Sequence, residues 1–214
     1  MQSFIELFLQ QAITFFAIID PIGVSAVMLS LLHVNVTKDE ISKVAYKSTI
    51  TVIIAFFVVL ITGDLILKMF GINVNSLKVI GGIVLILMAL TMIQGSTKEA
   101  KIINDDEKSE IKEHEDLSVI PIAIPIIFGT GLFTTIIILK HQNETLLGAI
   151  SMSLAFLVNA FLLYVVFKNS IYIKRYLGLT GQNIITKLMG LIVGAISVQF
   201  IVSGIVELSK LYLK

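Results

Sequence analysis

The chain has 214 residues, of which 56% are hydrophobic and 14% charged, and its mean hydropathy is +0.95. A soluble domain of this length cannot bury that much apolar surface, so the composition predicts a helical protein of the lipid bilayer. The formal net charge of +1 argues against a nucleic-acid partner, and the absence of cysteine excludes disulfides and cysteine-ligated metals.

Six apolar runs are long enough to cross a hydrocarbon core of roughly 30 Å, which takes about 20 residues. The first run lacks a positive flank and a small-residue cleavage site, so we interpret it as a span and not as a signal peptide. The sequence therefore predicts six spans in one transmembrane domain, residues 1–214. The runs are 7–32 (interrupted once), 48–63 with an extension to 67, 79–97, 117–139, 145–167 and 188–206.

The first span is interrupted by the sequence Asp20-Pro21-Ile22-Gly23, where a carboxylate and a helix-breaking residue separate two uncharged stretches. A charge at bilayer depth is costly, and proline leaves backbone groups unpaired where water cannot reach them. Both are tolerated where the backbone lines a cavity, so the pattern predicts a discontinuous helix at a transporter's binding site. We expect Asp20 as the N-cap and Pro21 as the first residue of a half-helix that runs to about His33.

Two roles are open for Asp20. In the simpler one its carboxylate only caps the resumed helix, favoured by the positive end of the helix dipole. In the other, which is compatible with capping, Asp20 also binds a proton, a sodium ion or a substrate ammonium, since it is the only ionisable residue well inside a predicted span. Small residues near the two breaks leave space for a compact ligand: Gly23, Ser25, Ala26, Gly129 and Gly131.

A polar segment, residues 96–116, separates the spans three and three, which gives a first repeat at 1–95 and a second at 117–214. We interpret the segment as a solvated, partly helical linker; a regulatory or partner-binding role is the alternative. The loops after spans one, three and five carry eleven Lys and Arg residues, and the opposite side carries five. The positive-inside rule then predicts a cytoplasmic linker and both termini outside.

Span four is interrupted as well. Pro125 precedes the sequence Gly129-Thr130-Gly131, after which a helix resumes. Glycine permits unusual backbone angles, Thr130 is placed to cap the resumed helix with its hydroxyl, and Thr134 lies one turn further on. No carboxylate stands at this helix start, so its free amides predict an anion site. Simple kinks at the prolines of this span are the alternative.

The two halves correspond when one is shifted by 109 residues. At that offset Gly81 meets Gly190, and Asp20 meets Gly129. Identity is no better than chance for two apolar sequences, so the evidence is the coincident placement of breaks and glycines. Because each half has three spans, the second half enters the membrane from the opposite side. This predicts an inverted-topology repeat with helices 1 and 4 discontinuous. The glycines at 81–82 and 190–194 predict close packing between helices.

Together the breaks suggest a site for a small zwitterion, with bare amides for its carboxylate and Asp20 for its ammonium or for a coupling cation. For Gln199, Ser151, Asn159 and Thr91, a helix–helix hydrogen bond is the simpler interpretation. No metal is expected, because the three histidines lack an acidic partner in register. The predicted substrate- and ion-binding residues are Asp20, Pro21, Gly23, Ser25, Pro125, Gly129, Thr130, Gly131, Thr134 and Gln199.

At these breaks the chain resembles the MarC/SnatA family of membrane proteins, and the resemblance runs almost end to end. An Asp-Pro-x-Gly break combined with a Pro-x-Ala-x-Pro…Gly-x-Gly break in one six-span protein is fairly specific. Family members generally have proline where Thr130 stands and often where Ala26 stands, and these departures bear on substrate range. The matching stretches are residues 15–23, 70–73, 79–83, 119–125, 129–131, 188–191 and 198–201, together with Gly204.

The resemblance implies a secondary transporter of the cytoplasmic membrane that moves small neutral amino acids such as glycine and alanine. We expect a coupling cation, either H⁺ or Na⁺, and no cofactor. An exporter or channel for other small amphiphilic solutes, including drugs, is the alternative. An intramembrane enzyme is disfavoured, because the further acids Asp64 and Glu207 lie near span ends and no histidine lies at depth.

Overall fold

The computed structural model of the chain describes residues 3–32, 36–95 and 118–213. The predicted linker at 96–116, His33 and His114 lie outside these residues. Within them the fold is all-helical and has no β-strand. Between α4 and α5 lies a π-helical stretch, Ser118–Ile127, called here the proline segment. The helices are α1 (Phe4–Ile19), α2 (Pro21–Leu31), α3 (Lys38–Met69), α4 (Val74–Gln94), α5 (Thr130–Gln142), α6 (Leu146–Lys168) and α7 (Ser170–Tyr212).

Most of these helices are long and apolar enough to cross a bilayer. The stretch Phe4–Leu31, which contains α1 and α2, and the helices α3, α4, α6 and α7 make five candidate spans among the described residues. The proline segment and α5 pass the same test together, with a bend of 56° between them, and make a sixth. Large apolar side chains such as Ile61 cover the outer faces of the bundle, as lipid contact requires. The predicted set of six spans is therefore confirmed as an upper count.

Polar residues at the helix starts explain where several helices begin. Ser3 and Glu6 form a capping box at α1, and Thr37 and Glu40 form another at α3. In each box the hydroxyl and the carboxylate satisfy backbone N–H groups that have no partner inside the helix. At α6 the hydroxyl of Thr145 accepts from Gly148 N at 3.0 Å.

Three phenylalanines join α1, α3 and α6 at the centre of the bundle. Phe15, Phe56 and Phe156 are fully buried. The rings of Phe56 and Phe156 are stacked with centroids 3.9 Å apart, and Phe15 meets both edge-on. Edge-to-face contacts between aromatic rings are favourable, so this buried cluster stabilises the packing of the three helices.

The helices α4 and α7 form the most extensive helix pair, and glycine lets their backbones approach. A Cβ at Gly82 would lie 2.7 Å from the carbonyl oxygen of Ser197, and one at Gly190 would lie 3.1 Å from that of Ala89. A Cβ at Gly204 would similarly meet the carbonyl of Asn75. Small residues drive this kind of close contact in membranes. The prediction of glycine-rich packing faces is confirmed for Gly82 and Gly190.

A charged cluster ties the end of α5 to the end of α3. Lys140 Nζ donates to Asp64 Oδ2 at 2.6 Å and to the carbonyl of Leu60 at 2.8 Å. His141 contacts Asp64 Oδ1 at 2.8 Å and Glu144 Oε1 at 3.1 Å. The expectation that His141 lacks an acidic partner was wrong, because α3 and α5 end on the same side of the bundle.

The last helix begins well before the predicted sixth span. α7 starts at Ser170 and bends at Gly178, whose φ of 61° and ψ of 179° are accessible to glycine alone. Ahead of the bend, Tyr172 accepts a hydrogen bond of 2.7 Å from Lys38 Nζ at the start of α3. Beyond it, α7 runs through the bundle beside α4 and α2.

Candidate substrate site at two helix breaks

Asp20 forms the first break, as the last residue of α1 and the N-cap of α2. Its backbone is left-handed, with φ 42° and ψ 64°. Its N–H donates to the carbonyl of Phe16 and its own carbonyl accepts from Val24 N, both at 3.0 Å, so each helix keeps its terminal backbone bond. Pro21 follows at the first helical position, where its missing N–H costs nothing. The predicted restart at Asp20 is confirmed, and α2 ends at Leu31.

The carboxylate of Asp20 is held inside the bundle. The residue is 5% exposed, and Oδ1 accepts from Gly23 N at 3.2 Å. A Cβ added at Gly23 would collide with Asp20 Oδ2 and with Thr186 Oγ1 of α7. Glycine is therefore required for the carboxylate to lie between α2 and α7. The Thr186 hydroxyl lies beside that carboxylate without meeting hydrogen-bond geometry.

The second break precedes α5 and has a different chemistry. Gly129 is the N-cap, with an extended backbone at φ −89° and ψ −176°, and no side chain caps the helix. The expectation that Thr130 caps α5 was wrong: Thr130 is the first helical residue, and its side chain is exposed. Because an α-helix leaves its first N–H groups without internal partners, α5 presents free amides at this break, as predicted.

The proline segment leads into that break. Its backbone departs from helical angles at Ile120 and Ile124, each before a proline joined by a cis peptide bond. The carbonyl of Ser118 accepts a 2.8 Å bond from Ser48 Oγ, which fixes the start of the segment to α3. Pro125 is exposed, and its carbonyl lies close to Gly129.

Two predicted hydroxyls lie on the helices that start at the breaks. Ser25 is fully buried and donates to the carbonyl of Ile22 at 2.7 Å. Thr134 is 7% exposed and donates back to the carbonyls of Thr130 and Gly131 at 2.9 and 3.1 Å. Both hydroxyls thus bond to their own helix, as is common for Ser and Thr in apolar surroundings.

The elements that flank the two breaks lie against each other. α1 contacts α5, and α2 contacts the proline segment. Each resumed half-helix also packs on a long helix of the other half. Gly131 lies against Leu85 and Met88 of α4, and Thr134 lies against Gly81. Gly23 lies against Thr186 of α7.

Gln199 lies away from the breaks. It lines a cavity of about 140 Å³ between the middle of α1, the end of α5 and α7. At 1.5 Å per residue, Thr14 and Gln10 of the same cavity are about 9 and 15 Å from Asp20 along the helix. The cavity is lined by Gln10, Thr14, Leu139, Gln142, Ile196, Gln199, Phe200 and Ser203.

The other polar residues of the spans make structural hydrogen bonds. Ser151 Oγ donates to Gln11 Oε1 at 2.6 Å, and Asn159 Nδ2 donates to the carbonyl of Ala12 at 3.0 Å. Both bonds join α1 to α6, which confirms the simpler interpretation for these two residues. Thr91 donates to the carbonyl of Met88 within α4.

Sequence reasoning missed Thr186 and Gln182, which lie one turn apart on α7. Gln182 is 1% exposed, and neither Oε1 nor Nε2 has a hydrogen-bond partner. Both residues precede the predicted sixth span at 188, in a stretch that reads as a polar loop. A four-residue spacing of polar side chains just ahead of an apolar run was the one signal available.

The fold and these breaks define a multi-pass helical membrane protein. The chain belongs to the MarC family of integral membrane proteins, whose sequence model matches residues 5–209. A UPF0056 membrane protein of Aquifex aeolicus is 34% identical over 98% of this chain and 97% of its own length. The UPF0056 membrane protein YhcE of Escherichia coli is 32% identical over 89% and 87%, and MJ1677 of Methanocaldococcus jannaschii is 32% identical over 89% and 91%. No solved structure matches the chain.

Proposed function

We propose that this protein is a secondary transporter of small neutral amino acids, glycine- and alanine-like zwitterions, coupled to H⁺ or Na⁺. The observation that carries the proposal is the contrast between two helix starts inside one bundle. α2 begins at a buried carboxylate, and α5 begins at amides that no side chain caps. A zwitterion could place its ammonium group at the Asp20 carboxylate and its own carboxylate at the free amides of α5.

The electrostatics of the helix ends support this assignment of poles. A helix N-terminus carries a partial positive charge and unpaired N–H groups, which favour a substrate carboxylate at α5. At α2 the same partial charge is offset by Asp20, whose carboxylate is left to attract an ammonium or a coupling cation. Discontinuous helices in transporters use their half-helix ends in this way.

An inverted repeat is part of the proposal, and the packing supports it. Under the offset of 109 residues, α1 corresponds to the proline segment, α2 to α5, α3 to α6 and α4 to α7. The same contacts occur when each helix is replaced by its counterpart. α2 packs on α7 as α5 packs on α4, and α2 packs on α6 as α5 packs on α3. Likewise, α1 contacts α6 and the proline segment contacts α3.

The two repeats differ in register, which is what alternating access requires. Thr134 of α5 meets α4 at Gly81. Gly23 of α2 meets α7 at Thr186, whose counterpart on α4 is Leu77. Thr134 is two residues beyond the counterpart of Gly23, and α5 runs antiparallel to α4. In equivalent numbering α2 therefore contacts its partner helix about six residues, roughly 10 Å, earlier than α5 does. If α2 took the register that α5 has on α4, and α5 took that of α2 on α7, both breaks would shift along the membrane normal.

We place the protein in the cytoplasmic membrane as a multi-pass protein with both termini outside, from the distribution of basic residues. The geometry at the breaks fits binding and not catalysis, so we do not propose an enzyme or a cofactor. Among the described residues, Asp64 is engaged by Lys140 and His141, and Glu207 by Lys210. Neither acid is placed to act with Asp20.

The test is counterflow of labelled glycine and alanine in liposomes that contain the purified protein, with Asp20→Asn in parallel. We expect saturable uptake that other small neutral amino acids compete, and its loss in Asp20→Asn. Asp39→Asn is the matched control, because Asp39 is an exposed residue paired with Lys43. Continuous conductance in place of counterflow would favour a channel, and full uptake by Asp20→Asn would reduce Asp20 to a helix cap.

A further inference from the structure

Gln182 is a buried side chain whose partners are missing from the described part of the chain. It is 1% exposed, and both its carboxamide oxygen and its nitrogen lack a hydrogen-bond partner. Leaving a buried polar group unpaired is unfavourable, because the group gives up its hydrogen bonds to water. A purely structural role does not explain a buried glutamine whose oxygen and nitrogen are both unpaired. We therefore interpret the unpaired atoms as groups that bind a ligand.

Gln182 lies on the face of α7 that meets Asp20. Residues four apart on a helix are neighbours, with Cβ atoms about 5–6 Å apart, so Gln182 adjoins Thr186. The hydroxyl of Thr186 in turn lies beside Asp20 Oδ2 at Gly23. One carboxylate, one hydroxyl and one carboxamide are thus placed in sequence along the contact between α2 and α7.

This group of side chains lacks a positive charge. Asp20 is 5% exposed and forms no ion pair with any of the described residues. The nearest lysine in sequence to Thr186, Lys187, extends instead beside Gly95 at the end of α4. In addition, Asp20 is the C-cap of α1, where the helix dipole is negative and the last carbonyls point outward.

We propose that Asp20, Thr186 and Gln182 form a cation site, in which their oxygen atoms hold either a coupling Na⁺ or the ammonium group of the substrate. The inference rests on the proposed transport function and adds to it the residues that select the cation. Carboxylate, hydroxyl and carboxamide oxygens suit a hard cation and accept hydrogen bonds from an ammonium equally well. The Gln182 nitrogen remains free to donate to the Asp20 carboxylate or to the substrate.

The test uses Thr186→Val and Gln182→Leu in proteoliposomes, with glycine counterflow measured over a range of Na⁺ concentrations. A lost hydrogen bond to a charged group predicts at least about a tenfold weakening. If the site holds Na⁺, the half-saturating Na⁺ concentration rises while the glycine KM at saturating Na⁺ is unchanged. If it holds the ammonium, the glycine KM rises at every Na⁺ concentration. Either result supports the site.

A measurement without transport separates a binding role from a structural one. Gln182→Leu removes two unpaired polar groups, so we expect a higher melting temperature than wild type without ligand, and a smaller increase on adding Na⁺ or glycine. Thr49→Val is the control, because Thr49 also has a buried, unpartnered hydroxyl but lies on α3. We expect that variant to keep the wild-type ligand response.

The two levels of the proposal fail differently. Absence of counterflow in intact wild-type protein would remove the transport function itself. Wild-type counterflow with unchanged glycine KM, Na⁺ dependence and ligand-induced melting shift in both Thr186→Val and Gln182→Leu would overturn the cation site and leave transport standing.

Discussion

The two helix breaks solve one structural problem with opposite chemistry. At the first, Asp20 adopts a left-handed backbone and turns its carboxylate onto the amide of Gly23. At the second, Gly129 is extended and brings no side chain to the start of α5. A protein that only needed to bend two helices could have capped both alike. The start of α2 carries a carboxylate, whereas the start of α5 has amides that no side chain caps. This difference suits a ligand with one positive and one negative group.

The largest effect should come from Gly23→Ala at the first break. The new Cβ would collide with Asp20 Oδ2 and Thr186 Oγ1, which are the ends of side chains that can swing away. The fold should therefore survive while the carboxylate is displaced, and we expect glycine counterflow to fall by about tenfold or more. Gly194→Ala is the control, because its Cβ would meet Ala89 at an ordinary 3.6 Å. Wild-type counterflow in Gly23→Ala would show that the position of the Asp20 carboxylate is not used.

A smaller loss should follow when the second break is made to resemble the first. Thr130→Asp places a negative charge at the first residue of α5, where the side chain is exposed. The new carboxylate would compete with the substrate carboxylate for the free amides at the start of α5. The glycine KM should therefore rise a few-fold, up to about tenfold. Thr130→Asn has nearly the same shape without the charge and should leave KM close to wild type. An equal KM in the two variants would argue against a carboxylate site at α5.

If the two halves form the proposed inverted repeat, the difference in register between α2 on α7 and α5 on α4 predicts a movement. Spin labels at Ser30 of α2 and Ile184 of α7 occupy exposed positions, and the chain has no native cysteine to interfere. If α2 slides along α7 to the register that α5 has on α4, the distance between the labels should change by up to about 10 Å. Labels at Leu87 and Leu191 report on the α4–α7 pair and should stay fixed. A single, ligand-independent distance for the first pair would contradict alternating access by this movement.

Sequence patterns predicted the features that depend on neighbouring residues. Asp20 before Pro21 was enough to place the start of α2, because capping and proline chemistry are local. The capping role of Thr130 was predicted wrongly, since Gly129 can take the extended N-cap conformation one residue earlier. The four-residue spacing of Gln182 and Thr186 was visible in the sequence, but the role proposed for them depends on how α7 lies against α2. That packing joins residues more than 150 positions apart, and hydrophobic periodicity does not record it.

The smallest effect concerns Thr130, one of the two positions at which the resemblance in sequence leads us to expect proline. Thr130→Pro puts proline at the first helical position, where it needs no N–H and its fixed φ suits the helix. The preceding residue must then be extended, and Gly129 already is, with φ −89° and ψ −176°. We therefore expect a gain of about 0.4–1 kcal/mol in stability, seen as a slightly higher melting temperature, because proline reduces the freedom of the unfolded chain. The proline would also remove one free N–H from the start of α5. Unchanged glycine KM would place the substrate carboxylate on the amides of Gly131 and Leu132, whereas a raised KM in the stabilised protein would include the amide of Thr130 in the site.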